Sequence, residues 1–260
     1  MTLRLTIIAL LLTTLTAGAW TQQMLMREAY ARRGAAPAVV IGNAIDLDGS
    51  SEYLSDGNTT LLNGVTQVTY VAWVNVATNK FNGGVVMSRG TLVHGLTQNN
   101  ALQFYIVVGG YLAGATLPTN QWHMLCGTWS AGQYIKFYTN GVLASEVTSG
   151  AFTNIATLAV NDNFEIGRDD LNAAYKYEGL IDEVAIFSQR CLSSVDVAEL
   201  YASGTGKRIE TLSTGTNGLI RLWHLDESGS ASNAYDSASG TTATGTAIGT
   251  GDWVTGKVPK

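Results

Sequence analysis

Charge is scarce in this chain. Only 13% of its 260 residues are Asp, Glu, Lys or Arg, which is low for a soluble domain. Lys and Arg together number 15, the net charge is −5, and no basic cluster occurs beyond Arg32-Arg33. A sequence-independent grip on nucleic acid needs a basic face, so nucleic acid is excluded as a partner. Proline is rare at 3, and cysteine is limited to Cys126 and Cys191. Two cysteines make no disulfide framework. Each lies in an apolar context ("HMLCGTW", "SQRCLSS"), where a thiol behaves as a small core residue, and both are expected to be free. The three histidines, His94, His123 and His224, have no Cys or His neighbour at metal spacing. His123 and His224 are expected inside strands, as hydrogen-bonded core or rim residues. There is no Gly-x-Ser-x-Gly elbow and no phosphate-binding glycine loop. No strand carries two same-face acids in the manner of a glycosidase. The adjacent Asp182 and Glu183 are expected on opposite faces of a strand, in a structural role.

What is present is mostly β-like. Hydrophobic residues make up 46% of the chain, enough for a large core, and the 29 glycines suit many tight turns. The start, "MTLRLTIIALLLTTLTAGAW", has the basic, apolar and small-x-small order of a secretory signal over residues 1–19. Its apolar run is shorter than the roughly 20 residues of a spanning helix, though a membrane anchor is the alternative. Residues 20–37 form a lead-in ended by Pro37. From residue 38 to 260 a single domain is expected. "VTQVTYVAWVNVAT" alternates, with Val68, Tyr70, Ala72, Val74 and Val76 on one face and Thr69, Val71, Trp73 and Asn75 on the other. "YTNGV" (138–142) is a hairpin signal, because Asn-Gly tolerates positive φ at both central positions. One helix is expected near 193–203, with Ser193 and Asp196 at capping-box spacing and Gly204 as carboxyl cap. Many short strands without interleaved helices predict an all-β, two-sheet antiparallel sandwich.

The pieces resemble those of a known family. "AIDLDGSSEYLS", "VTYVAWVNV", "QWHMLCGTWSAGQYIKFYTNGVLA" and "FEIGRDD…YEGLIDEVAIFSQRCLSSVDVAELYASG" are similar, in this order, to the strands and final helix of laminin-G-like, concanavalin A-like jelly-roll modules. The resemblance covers about residues 44–206. In that family a segment like "GLIRLWHLDES" comes first. Here it comes at 218–226, which implies a circular permutation in which Leu219–Leu225 returns to its own sandwich; donation to a neighbour or a truncated second module are the alternatives.

The resemblance implies a concanavalin A-like jelly roll that recognises carbohydrate outside the cell, as a secreted or surface lectin-like adhesion module without catalysis. Its partner would be a glycan or a cell-surface or matrix component. A structural or assembly subunit able to self-associate is an alternative, and a glycoside hydrolase a further one. For ligand binding the polar–aromatic loops supply His94 and Asn99, and then Arg168, Asp169, Asp170, Asn172 and Tyr175. By analogy with the family a calcium ion is conceivable at Asp48, Asp56 or Asp182, although Asp in turns commonly serves the local backbone.

Overall fold

The stretch Gln67–Val76 organises the sandwich, because both of its faces are apolar and both are covered. Val68, Tyr70, Ala72, Val74 and Val76 belong to one buried cluster, whereas Val71 and Trp73 belong to another. The computed structural model describes residues 39–58, 62–77, 84–85, 87–89, 93–94, 96–98, 102–106, 110–113, 117–148, 163–169, 174–249 and 251–260, with backbone alone over 84–113. Residues 1–38, which include the expected signal and lead-in, lie outside the described residues. Ile41–Lys260 is one compact unit. Among the described residues no helix is long and apolar enough to cross a membrane.

The strands in chain order are β1 (Ile41–Asp48), β2 (Tyr53–Asn58), β3 (Gln67–Val76), β4 (Gly84–Val85), β5 (Met87–Arg89), β6 (Val93–His94), β7 (Leu96–Gln98), β8 (Leu102–Ile106) and β9 (Gly110–Ala113). There follow β10 (Trp122–Ser130), β11 (Tyr134–Thr139), β12 (Val142–Thr148), β13 (Asn163–Ile166), β14 (Glu178–Ser188), β15 (Leu219–Trp223), β16 (Asn233–Tyr235), β17 (Thr242–Thr246) and β18 (Trp253–Pro259). A helix, α1 (Ser194–Tyr201), lies between β14 and β15. One sheet runs β12-β11-β10-β3-β14-β1-β18, with β15 also on β14; a second runs β16-β17-β2-β13-β5-β6; a third, small one runs β4-β7-β8-β9. Every registered pair is antiparallel, as the scarcity of helices predicts. This is the all-β, concanavalin A-like sandwich expected from the sequence.

Two clusters hold the layers. The inner one joins the two large sheets through Ile45, Tyr70, Trp129 and Phe137 on one side and Leu54, Phe164, Ile166 and Ala243 on the other. The outer one covers the back of the larger sheet, where Val71, Trp73, Cys126 and Phe187 meet Val197 and Leu200 of α1 and Ile209 and Leu212 beyond it. Both cysteines are free: Cys126 is buried, and Cys191 donates its thiol to Trp129 O at 3.0 Å.

The last forty residues serve both sheets. β15 pairs with β14, placing Ala185 opposite Leu222, and β18 pairs with β1, placing Ile45 opposite Trp253. β17 joins β2 in the other sheet. Trp223 is fully buried and its ring lies flat against Phe164, with centroids 5.4 Å apart.

The Asn140-Gly141 turn has φ of 51° and 79°, as that dipeptide predicts. Ser193 caps α1, with Asp196 answering it, as expected. The carboxyl end differs. The helix stops at Tyr201, and the left-handed cap is Ala202, not Gly204. The chain turns back from Ala202 through Gly204, at φ 92°, and the turn closes with Gly206 N donating to Tyr201 O and Lys207 N to Leu200 O.

Candidate functional sites

The described residues on either side of the loop after β13 form a rim. It closes on itself through Asp169 N donating to Tyr175 O at 3.0 Å and Tyr177 N donating to Gly167 O at 2.8 Å. Gly167, at φ 90°, packs so tightly on Leu47 that a Cβ would approach it to 2.3 Å. The turn delivers Arg168 back over the sheet. Its Nε and Nη2 donate to both oxygens of Glu165 at 2.7 and 2.6 Å, and Glu165 is only 1% exposed. The guanidinium lies over Tyr53 of β2, 3.6 Å from the ring centroid. Beside it the Lys176 ammonium donates to Ser50 O. A planar cation locked on an aromatic ring is a polar surface with little entropy left to lose on binding. Of the expected ligand residues, Arg168 stands over Tyr53, while Tyr175 pairs through its backbone with Asp169, one step along from the Arg168–Lys176 bridge. Asp169 belongs to the same loop but is buried. Asp170, Asn172 and Asn99 lie outside the described residues, and His94 is described only as backbone of β6.

The three acids considered for calcium stand apart, each held by protein donors. Asp48 accepts from the backbone N–H groups of Ser50, Ser51 and Glu52 and from both serine hydroxyls. Although burial opposes it, these bonds hold its pKa far below the ordinary value. Asp56 takes Arg221 Nε at 2.7 Å, and the same nitrogen lies 3.3 Å from Asp236, joining the two sheets. Asp182 accepts from Lys257 N at 2.7 Å and Val258 N at 3.0 Å. Burial pushes Asp182 up to about 7 in spite of those two bonds.

Asp182 and Glu183 do not alternate. The register slips between Asp182 and Ala185, and Glu183 takes a φ of 50°. Ile181 and Val184 both enter the inner cluster, so both acids turn to the outer one. Opposite faces, as expected for a regular strand, are thereby corrected to one face by a bulge. There Glu183 meets His224, just beyond the end of β15 rather than within it. His224 donates from Nδ1 to Glu183 Oε2 and from Nε2 to Glu210 Oε1, each at 2.7 Å. Burial lowers the imidazole's affinity for its proton, but the bonds and charges of the two glutamates outweigh it and raise His224 to about 9. Burial raises Glu183, which is 2% exposed, while the imidazole counteracts. Burial acts against Glu210 too, yet the bond from His224 keeps it below its usual range.

The three side chains can each bring one ligand atom within 4.8 Å of the others. The two glutamates, however, occupy opposite nitrogens of one ring, and an ion can take only one of these. As built, the group is a proton-held clasp. The sequence hid it, because the three residues come from positions 183, 210 and 224 and only the bulge aims Glu183 at the other two. By contrast His123 is the rim residue expected, bonded to Pro118 O and the Asn140 amide, each at 3.1 Å.

Glu210, in the 3₁₀ turn Ile209–Thr211, also lines a cleft. The rest of the lining comprises Thr216, Leu219, Leu222, Ser237 and Ala238. The cleft holds about 330 Å³.

Residues 48–198, more than half of the chain, match the family described as the concanavalin A-like lectin/glucanases superfamily. No curated protein matches the sequence significantly. Among solved structures, a protein from Bacteroides ovatus ATCC 8483, described provisionally as a carbohydrate binding protein, is similar at TM-score 0.65 and 18% identity. The match covers 85% of this chain and 62% of that one, so the chain spans less than two thirds of its length. The native heptameric SAP-like pentraxin of Limulus polyphemus matches at TM-score 0.49 and 14% identity, over 78% of this chain and 95% of that one. The CBM40 of the Ruminococcus gnavus IT-sialidase, bound to α2,3 sialyllactose, matches at TM-score 0.48 and 16% identity, over 61% and 96%. These likenesses concern the fold.

Proposed function

The chain belongs to the concanavalin A-like lectin/glucanases superfamily, and from that premise we propose that it is a carbohydrate-binding module, extracellular and without catalysis of its own. The observation that carries the reading is the family match over residues 48–198. The rim supports it: an arginine held over the Tyr53 ring offers a mixed aromatic and polar surface of the kind a sugar needs. The acids of β14 support the absence of catalysis. Asp182 is spent on two backbone N–H groups and Glu183 on an imidazole, so neither is directed across an open cleft toward a second acid. The order of charged, apolar and small residues over 1–19 supports export.

A glycan array tests the function, read in calcium and again in chelator. Binding to a restricted set of glycans is expected, weakened at least tenfold by Arg168→Ala. A blank array in both conditions overturns the reading, and a signal lost in chelator assigns calcium to the site. Release of reducing ends from any bound polysaccharide would instead make the protein a hydrolase.

A further inference from the structure

The 3₁₀ turn is held against the sheet by Ile209 and Leu212, packed in the outer cluster, and by the bond from Ile209 N to Glu183 Oε1, at 3.2 Å. The chain of contacts continues through His224 to Glu210, whose side chain is 41% exposed. A glutamate on a surface turn ordinarily samples many rotamers and loses that freedom when it binds something. Glu210 has already lost it, because His224 pins one of its carboxylate oxygens.

The surroundings narrow what the cleft can take. Its lining joins two apolar residues, Leu219 and Leu222, with two that carry hydroxyls, Thr216 and Ser237. Two glutamates share one imidazole, and the nearest further cation, Arg208 Nη1, lies 4.0 Å from Glu210 while its Nη2 pairs with Asp226 at 2.5 Å. An anionic ligand is therefore disfavoured. Apolar residues, hydroxyl-bearing residues and a preset acceptor around one cleft match a ring with one apolar face and several hydroxyls. A cleft of about 330 Å³ is at the small end of ligand pockets, the size for one such ring rather than a chain.

We propose that the cleft between Glu210 and Ser237 is a sugar subsite separate from the Arg168 rim, taking a single neutral or amino-bearing pyranose ring with Glu210 as the acceptor of its hydroxyls. The proposal rests on the carbohydrate-binding reading, but it concerns another layer of the molecule. It lies at the outer face of the larger sheet, beside β15, whereas the rim stands on the smaller sheet.

The test is a titration of the full chain with D-glucose, D-galactose, D-glucosamine and D-glucuronate, followed by amide shifts in ¹⁵N-labelled protein. At least one neutral or amino sugar is expected to move the amides of Thr216, Leu219, Ser237 and Ala238 together, with an affinity in the millimolar range. Glucuronate is expected to leave them in place. Glu210→Gln, which keeps an acceptor for His224 but removes the charge, should weaken binding about tenfold. Ser237→Trp, at an exposed position where folding is not at risk, should fill the cleft and abolish the shifts. Unmoved amides with all four sugars, or shifts that persist in Ser237→Trp, overturn the subsite. If the array remains positive in that case, the carbohydrate reading stands and only the cleft falls; if both are blank, both fall.

Discussion

Glu183 combines two costs that proteins seldom accept at one residue. Its φ of 50° is a strained setting for a side chain with a Cβ, and its carboxyl is buried. The return is the imidazolium of His224, which has a carboxylate on each ring nitrogen. A histidine raised to about 9 in the fold, against an ordinary 6.5, contributes stability that is fully present below pH 6.5 and lost as pH rises through 9. The difference corresponds to about 3 kcal/mol, or roughly 10 °C in melting temperature for a domain of this size. Asp182 slopes the same way but in a lower window. Its carboxyl is raised to about 7, so its ionisation costs stability between pH 4 and 7 and adds no slope above. Above about pH 8.5 the thiols of Cys126 and Cys191, both raised by burial, add a loss of their own. Melting curves between pH 7 and 8 therefore report the histidine. The wild type should lose roughly 4 °C over that interval, and His224→Gln, melting lower at pH 7, should run nearly flat. Equal slopes in the two proteins would show that the clasp carries no proton of consequence.

At the level of elements, what could be read in the sequence was what a single segment states about itself. The period-two pattern of β3 named both of its faces correctly, since inner and outer clusters divide its side chains as the alternation does. The Asn140-Gly141 turn and the Ser193–Asp196 box were legible because each is a local bond pattern. That box supports a prediction. α1 has only eight residues, too few to persist without packing and caps. Ser193 donates its hydroxyl to Asp196 Oδ2 at 2.8 Å and accepts from Asp196 N at 3.2 Å. Ser193→Ala should cost about 1 kcal/mol in urea unfolding, with the m-value unchanged. A loss under a few tenths would mean that Val197 and Leu200, packed on the outer cluster, hold the helix without its cap. What escaped was set by partners far along the chain. The return through Lys207 and Leu200 moved the cap from Gly204 to Ala202, and the bulge after Asp182 became visible only against the register of β3. Of the candidate rim, Arg168 could be named from its loop, but Tyr53 beneath the guanidinium could not, because β2 reaches it from another part of the sequence.

At the scale of the whole molecule the two ends of the compact unit meet in space, as the circular permutation expected from the sequence requires. Ile41, the first residue of β1, is register partner to Pro259, the last of β18. Partners across an antiparallel ladder lie about 5 Å apart at Cα, so a few glycines can join them without strain. The stretch that would then be opened, 216–217, is exposed, and its main fastening is Arg190, whose Nη1 donates to Gly215 O at 2.7 Å and Asn217 O at 3.0 Å. Every strand pair would survive, because pairing depends on adjacency in space and neither β14–β15 nor β1–β18 contains the cut. A version of Ile41–Lys260 that begins at Asn217, passes from Lys260 through a short glycine linker to Ile41, and ends at Thr216 would carry "GLIRLWHLDES" first, the order that the sequence resemblance implies for the family. It should fold, show the near-ultraviolet signal of the buried Trp73, Trp129 and Trp223, and melt cooperatively within about 5 °C of the unpermuted unit, the loss reflecting the loosened Arg190 contacts. Were it to collapse without cooperative melting while the unpermuted unit folds, the late strand would depend on the connection through Gly215–Gly218 for its place beside β14, and the kinship in strand order would be formal only.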